Sequence, residues 1–127
     1  MAERPQRCPC LSGEVYAECC GRFHDGTAHA PTAERLMRSR YSAYALLDVE
    51  YVRATWHPST RPDGLELDAD RRWYRLDILA TTAGGPFATE GTVLFEAFFR
   101  DPAASGSQLE KSRFVRENGR WFYVDGI

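Results

Sequence analysis

The feature that most constrains the fold is a group of cysteines near the start of the chain. All four cysteines of the 127 residues lie between positions 8 and 20, with the spacing Cys-x-Cys, eight further residues, Cys-Cys. A soft divalent ion such as zinc takes four thiolate or imidazole ligands at the corners of a tetrahedron. Two close pairs joined by a short loop can supply these corners. The pattern therefore predicts a structural zinc knuckle whose ligands are Cys8, Cys10, Cys19 and Cys20.

Two disulfides or free reactive thiols are the alternatives to a metal site. Adjacent cysteines such as Cys19 and Cys20 bond to each other only under strain, and so short a loop is difficult to cross-link twice. Residues 1–7 contain no apolar run of the kind found in a secretory signal. We therefore expect a reducing cytoplasm, where clustered cysteines more often bind metal. His24 and His29 could each replace a thiolate, but four cysteines already complete the expected ligand set.

Residues 8–20 resemble the SEC-C motif, a small zinc-binding element at the tail of the preprotein translocase motor and on many bacterial proteins. The resemblance places the ligands on the same four cysteines. Leu11 stands where the motif usually has glycine. If that position needs a left-handed backbone, a leucine there is strained, and the strain would distort the loop or weaken metal binding.

The resemblance continues beyond the knuckle. Residues 37–44 (MRSRYSAY), 55–62 (TWHPSTRP) and 112–126 (SRFVRENGRWFYVDG) are similar to the bacterial YchJ family. That family joins an N-terminal SEC-C motif to a nuclear transport factor 2-like domain, a cone of helices on a curved sheet. The resemblance implies a knuckle over residues 1–21, a polar, turn-prone linker over 22–31 and the cone-shaped domain over 32–127. It implies no particular activity.

The overall charge excludes one broad class of partner. The formal net charge is -2, whereas proteins that capture nucleic acid electrostatically carry a marked positive charge. No stretch approaches the roughly 20 consecutive apolar residues of a transmembrane helix. We expect a cytoplasmic protein without a membrane span, and a nucleic-acid partner is not expected.

Two helices are predicted after the linker. Thr32 is a suitable N-cap, and apolar residues from Leu36 to Leu47 then recur at spacings of three and four. Asp48 can cap a second, shorter helix. The proline after His57 ends this helix, and a long loop follows to residue 72.

The period then changes to two, which indicates strands. Tyr74, Leu76 and Ile78 are predicted to share one face of the first strand. Asn118-Gly119 tolerates the positive φ values of a type I′ turn and predicts a hairpin. The predicted strands cover residues 73–82, 89–100, 109–117 and 120–125, with a loose loop at 101–107. The sequence thus predicts an α+β fold, with helices on one face of a curved, four-stranded antiparallel sheet.

The long second strand carries apolar residues on both faces. Helices that cover only one face would leave the other apolar face in water. A second copy of the chain, giving a homodimer through the sheet, is one expected cover. The knuckle folded back on the sheet is the other.

A cone of this type encloses a pocket, and several residues are candidates for it. The expected pocket residues are Arg40, Tyr41, Tyr44, Trp56 and His57. The weak candidates for an acid or base are His57, Asp77 and Glu96. The plainer interpretations are an imidazole bonded to a helix carbonyl, and a structural ion pair across neighbouring strands.

Three functional hypotheses follow. The first is a binding module, with a protein partner on the knuckle and a small apolar ligand in the cone. The second is a small cofactor-free isomerase, dehydratase or hydrolase that uses the cone pocket. The third gives the zinc ion only a stabilising role.

Overall fold

The structure, a computed structural model, describes residues 6–127 and confirms the α+β fold. A single 3-10 turn, Tyr16–Glu18, precedes three helices and four strands. The helices are α1 (Gly21–His24), α2 (Ala33–Leu46) and α3 (Val49–Ala54). The strands are β1 (Arg72–Ala83), β2 (Glu90–Arg100), β3 (Ser105–Glu117) and β4 (Arg120–Gly126). The strands pair antiparallel in the order β1-β2-β3-β4, and α2 packs on β1, β2 and β4. No helix of residues 6–127 is long and apolar enough to cross a membrane.

The ends of the helices lie where the capping residues predict. The Thr32 hydroxyl accepts a hydrogen bond from the backbone N–H of Arg35 at 3.1 Å. The Asp48 carboxylate accepts one from the N–H of Tyr51 at 3.2 Å. Leu47 ends α2 in a left-handed conformation. These bonds satisfy N–H groups that a helix cannot pair internally.

The loose loop predicted for residues 101–107 is wrong in its second half, because β3 begins at Ser105. The Asp101 carboxylate accepts hydrogen bonds from the N–H groups of Ala103 and Ala104 at 3.0 and 2.9 Å. This closes a tight turn and pairs Ser105 with Arg100. The small polar residues after the turn carry no strand pattern of their own, so pairing with β2 determines their conformation.

The face assignment of β1 was wrong at Tyr74. The β1–β2 register shifts between Trp73 and Arg75, and such a bulge moves the following side chains to the other face. Tyr74 is consequently 45% exposed, while Leu76 is buried at 4%. Trp73 packs against the core in its place.

The core lies between α2 and one face of the sheet. Val93, Phe95 and Ala97 of β2 are buried there, as their alternation predicts. The four cysteines belong to the same buried cluster. The stretch predicted as a turn-prone linker contains α1, and its Phe23 is also part of this core. Asn118 and Gly119 both have positive φ, as the predicted hairpin turn requires.

Candidate functional site

The first cysteine pair lies in a short loop that turns back on itself. The backbone N–H of Cys8 donates to Glu14 O at 2.9 Å, and that of Leu11 donates to Cys8 O at 3.1 Å. The turn requires positive φ at Leu11 (64°) and Gly13 (90°). Leu11 therefore has the left-handed backbone anticipated from the motif, with a side chain that is 56% exposed.

The second pair is presented by the turn that leads into α1. The N–H of Cys19 donates to Tyr16 O at 3.0 Å, and Cys20 O accepts the first backbone bonds of α1. At Gly21 a Cβ atom would lie only 2.7 Å from Tyr16 O. This position therefore excludes any larger residue without a shift of the backbone.

These two segments bring the four sulfurs into one buried group. Each sulfur lies within 4.8 Å of the others. The Sγ atoms of Cys10 and Cys19 are 3.6 Å apart, and those of Cys19 and Cys20 are 4.0 Å apart. Tetrahedral zinc thiolates with bonds of about 2.3 Å place their sulfurs about 3.8 Å apart, whereas a disulfide needs about 2.0 Å. All four thiols are free, and the cluster is compatible with metal binding.

The electrostatics of the cluster favour a bound cation. Burial raises the pKa of the Cys19 thiol to about 11. The hydrogen bond with Cys10 raises the pKa of Cys20 and lowers that of Cys8. Four thiolates in one buried space would repel each other unless a positive ion neutralised them.

The two histidines near the knuckle lie outside the group of sulfurs. His24 Nε2 donates to the carbonyl of Ser39 at 2.8 Å, so Nδ1 accepts from the Tyr16 hydroxyl at 2.6 Å. Both ring nitrogens of His24 are thus engaged: Nε2 joins α1 to α2, and Nδ1 joins α1 to the 3-10 turn that precedes it. His29 lies beside a separate cavity next to α1 and α3.

The cysteine loop is attached to one side of α2. Arg38 donates through Nη1 to Cys10 O at 3.1 Å. The Ser42 hydroxyl, one turn later, is 3.5 Å from Cys8 Sγ. Because residues four apart share a helix face, these contacts fix that face of α2 against the knuckle.

A cavity of about 200 Å³ lies along another side of α2, against the sheet. Four of the five predicted pocket residues line it: Arg40, Tyr41, Tyr44 and Trp56. His57 does not. The remaining lining residues are Met37, Trp73, Phe95, Ala97, Gln108, Glu110, Ser112 and Tyr123. The polar members of this group on β3 were not among the predicted pocket residues, although their spacing of two places them on one face of the strand.

Arg40 provides a buried positive charge in the cavity wall. Its side chain is held by Nη1, which donates to Val52 O at 2.9 Å and to Thr55 Oγ1 at 2.8 Å. The guanidinium also lies over the rings of Trp56 and Tyr123, 5.2 and 4.6 Å from their centroids. Burial lowers the pKa of Arg40, but a guanidinium stays protonated in proteins.

Glu110 provides a negative charge in the same wall. Its Oε1 accepts from the Ser112 hydroxyl at 2.8 Å and from the Tyr123 hydroxyl at 3.1 Å. Its Oε2 accepts from Gln108 Nε2 at 2.9 Å. The carboxylate is therefore satisfied by neutral donors on the sheet.

Comparison with known proteins identifies the two parts of the chain. Residues 32–126 match the family model described as "YchJ, middle NTF2-like domain". Residues 4–22 match the SEC-C motif. The chain belongs to the YchJ family.

YchJ-family relatives cover nearly the whole chain. A UPF0225 protein of Streptomyces coelicolor is 55% identical, over 94% of this chain and 93% of its own length. A UPF0225 protein of Corynebacterium glutamicum is 54% identical, over 95% and 96%. The solution structure of a SEC-C motif-containing protein from Rhodopseudomonas palustris has a TM-score of 0.81 and 36% identity, and covers 94% of this chain and 96% of that one. A crystal structure from Psychrobacter arcticus, also of a SEC-C motif-containing protein, has a TM-score of 0.75 and 31% identity, with 93% and 80% covered.

In this YchJ-family chain, His57 lies outside the cavity. Its Nε2 is 2.8 Å from the Glu117 carboxylate. Its Nδ1 accepts from the backbone N–H of Ser59 at 3.1 Å and lies 2.7 Å from the Ser59 hydroxyl. The expected bond to a helix carbonyl is thus replaced by a bond to a carboxylate at the end of β3. The imidazole joins the loop after α3 to the sheet.

Asp77 and Glu96 also lie away from the cavity, directly opposite each other on β1 and β2. Asp77 pairs with Arg75 of its own strand at 3.0 Å. Glu96 accepts a hydrogen bond from the Ser107 hydroxyl at 2.7 Å. The ion pair that we expected across neighbouring strands is therefore within one strand. The two carboxylates have no contact that resembles a catalytic dyad in the cone.

Proposed function

We propose that the protein is a small-ligand-binding module whose cone is held in shape by a structural zinc ion on Cys8, Cys10, Cys19 and Cys20. The observation that carries the proposal is the position of α2 between the two sites. One side of this helix contacts the cysteine loop through Arg38 and Ser42. Another side lines the cavity.

The donor set supports zinc and a structural role for it. Four thiolates at tetrahedral spacing suit zinc, and no position remains for a water molecule or a substrate. Zinc in such a site supplies a cross-link rather than a reactive centre. Here the cross-link would join the loop of Cys8 and Cys10 to the start of α1, and so fix α2 against both.

A ligand-binding role is supported by the cavity itself. Its wall combines apolar and aromatic side chains with a few polar groups, which is typical of small-molecule sites. Its volume, about 200 Å³, is below the 300–1,000 Å³ range typical of drug-sized ligands, so the ligand is small. Neither His57 nor Asp77 lines it, and the enzyme hypothesis that used them as bases has no support there.

A fragment screen by NMR on the zinc-loaded protein tests this role. We expect neutral or charged fragments to shift resonances of cavity residues. The variant Ala97→Phe fills the cavity with a ring and should abolish these shifts. Leu109→Phe also introduces a phenyl ring, at an exposed position outside the cavity, and should leave them unchanged. A screen in which no fragment binds, or in which Ala97→Phe binds as the wild type does, contradicts the role.

A protein partner on the knuckle is a second candidate function, favoured by one observation. Leu11 is a large apolar side chain, 56% exposed, at the tip of a loop that strains its backbone. A partner that packs on this leucine would be lost in Leu11→Gly, which keeps the loop geometry. Equal recovery of the same partners by the wild type and Leu11→Gly would contradict docking through this loop.

A further inference from the structure

The buried charge of Arg40 has no carboxylate partner in the described chain. Arg40 is 3% exposed, and none of the salt bridges among residues 6–127 includes it. Buried charges are normally paired, because an unpaired charge loses its hydration without compensation. Glu110 shares the cavity and attracts Arg40 through space, but it forms no salt bridge with the guanidinium, and three donors of the sheet bind its carboxylate. Arg40 is thus left with neutral acceptors and aromatic faces.

The bonds of Arg40 leave part of its guanidinium free. In residues 6–127 both hydrogen bonds of the side chain come from Nη1. The rings of Trp56 and Tyr123 hold the plane of the group. Nε and Nη2 make none of these bonds, although the Tyr44 hydroxyl lies beside the guanidinium. These two nitrogens form the fork that binds a carboxylate through two parallel hydrogen bonds.

Two further donors in the cavity wall lack partners. The Tyr41 hydroxyl and Trp56 Nε1 are buried without a hydrogen bond to any of residues 6–127. An indole nitrogen can only donate, and a hydroxyl without an acceptor can still donate its proton. A buried donor without an acceptor destabilises the folded state. Both atoms are fully covered by the surrounding protein, so neither faces the open space of the cavity. The positively charged group left to recognise a ligand there is Arg40.

The rest of the wall limits the ligand further. Met37, Trp73, Phe95 and Ala97 give the cavity an apolar surface. The negative charge of Glu110 disfavours a ligand with two negative charges, such as a phosphate monoester.

Building on the proposed ligand-binding function, we propose that the cavity binds a small monocarboxylate with an apolar body. The carboxylate pairs with the fork of Arg40, next to the indole ring of Trp56. The apolar body packs on the side chains of α2, β1 and β2 that form the wall.

Matched pairs of acid and amide test the proposal on the zinc-loaded protein. The probes are benzoate with benzamide, isovalerate with isovaleramide, and phenylacetate with phenylacetamide, each titrated at neutral pH. The readout is the indole N–H resonance of Trp56, assigned by its disappearance in Trp56→Phe. We expect at least one carboxylate to shift it and to bind at least tenfold more tightly than its amide.

Arg40→Lys keeps the positive charge and removes the fork, and we expect it to bind the carboxylate at least tenfold more weakly. If this variant does not fold, the ratio of acid to amide affinity in the wild type still tests whether the cavity recognises a carboxylate. Amides that bind as tightly as the acids overturn the carboxylate proposal and leave the ligand-binding function standing. If none of the six probes binds, the carboxylate proposal is overturned as well. If the fragment screen also finds no binder, the ligand-binding function is contradicted too.

Discussion

At the scale of single residues, Leu11 has a backbone conformation that usually belongs to glycine. Its φ of 64° lies in the left-handed region, which is unfavourable for a residue with a Cβ by about 1–2 kcal/mol. The resemblance to the SEC-C motif predicted this strain from one substituted position. The loop keeps its turn in spite of the leucine, because the backbone bonds of Cys8 on either side define it.

We predict that Leu11→Gly raises the free energy of unfolding by about 0.5–1 kcal/mol. The substitution removes the free-energy cost of the left-handed conformation. This gain exceeds the loss of about 0.4–1 kcal/mol that arises because glycine increases the conformational entropy of the unfolded state. Urea unfolding of the zinc-loaded protein measures the change. Leu47→Gly, at a second exposed left-handed leucine far from the cysteines, is the control and should gain a similar amount. A loss of stability in Leu11→Gly alone would show that the leucine side chain contributes packing.

At the scale of elements, the features that depend on local residues could be predicted and those that depend on pairing could not. Thr32 and Asp48 cap their helices with their own side chains, and Asn118-Gly119 forms its turn from its own backbone preferences. The bulge beside Trp73 and the start of β3 at Ser105 depend on the neighbouring strand. No local pattern specifies either of them.

The candidate site also contains one part that local sequence predicts and one part that depends on strand pairing. The spacing of the cysteines is local, and it predicted the buried cluster. Part of the helical side of the cavity followed from the α2 pattern, which includes Tyr41 and Tyr44, whereas Arg40 was a candidate only through the expected cone pocket. Glu110 and Ser112 were missed because alternating polar residues on a strand usually face solvent. Only the register, which pairs Glu110 with Phe95, places these side chains beside the core.

We predict that Asp101→Ala loosens the β2–β3 hairpin and lowers the free energy of unfolding by about 1 kcal/mol, because two backbone N–H groups lose their acceptor. Hydrogen exchange of residues 105–108 measures the local effect and should become faster. Asp68→Ala removes a similar turn bond outside the sheet and should leave these amides unchanged. Equal exchange in all three proteins would show that strand pairing alone holds the turn.

At the scale of the whole molecule, the domain buries several tyrosine hydroxyls. Burial raises the pKa of Tyr51 to about 12 and also raises the pKa values of Tyr41, Tyr44 and Tyr123. The unfolded chain titrates its tyrosines near pH 10. The folded state therefore holds these protons more tightly, so their contribution to stability is full below about pH 10 and declines as the pH rises toward 12.

We predict that the melting temperature falls steeply above about pH 10. Tyr51 alone accounts for a loss of about 2–3 kcal/mol across its shift. Thermal unfolding between pH 9 and 11.5, together with tyrosinate absorbance, measures the effect. The buried tyrosines should ionise only as the protein unfolds. Ionisation of all six tyrosines near pH 10 in a folded protein would contradict the assignment of buried hydroxyls.

The outer face of the sheet carries exposed apolar side chains. Tyr74 and Leu79 of β1 and Leu109 of β3 are exposed apolar side chains. The homodimer through the sheet that the sequence suggests stays a prediction. A dimer of this kind would leave the cavity on the α2 side of the sheet open to a ligand.

A metal ion on the four cysteines would hold the cysteine loop against α2. Native mass spectrometry of the reduced, freshly purified protein, combined with hydrogen exchange of residues 33–46, tests it most directly. We expect one zinc ion per chain, lost in the double variant Cys19→Ser/Cys20→Ser and released from the wild type on acidification, since protons compete for the thiolates. Loss of the metal should sharply increase exchange in α2. A wild-type protein that is metal-free, with four free thiols and the same protection in α2 as the double variant, would contradict the account.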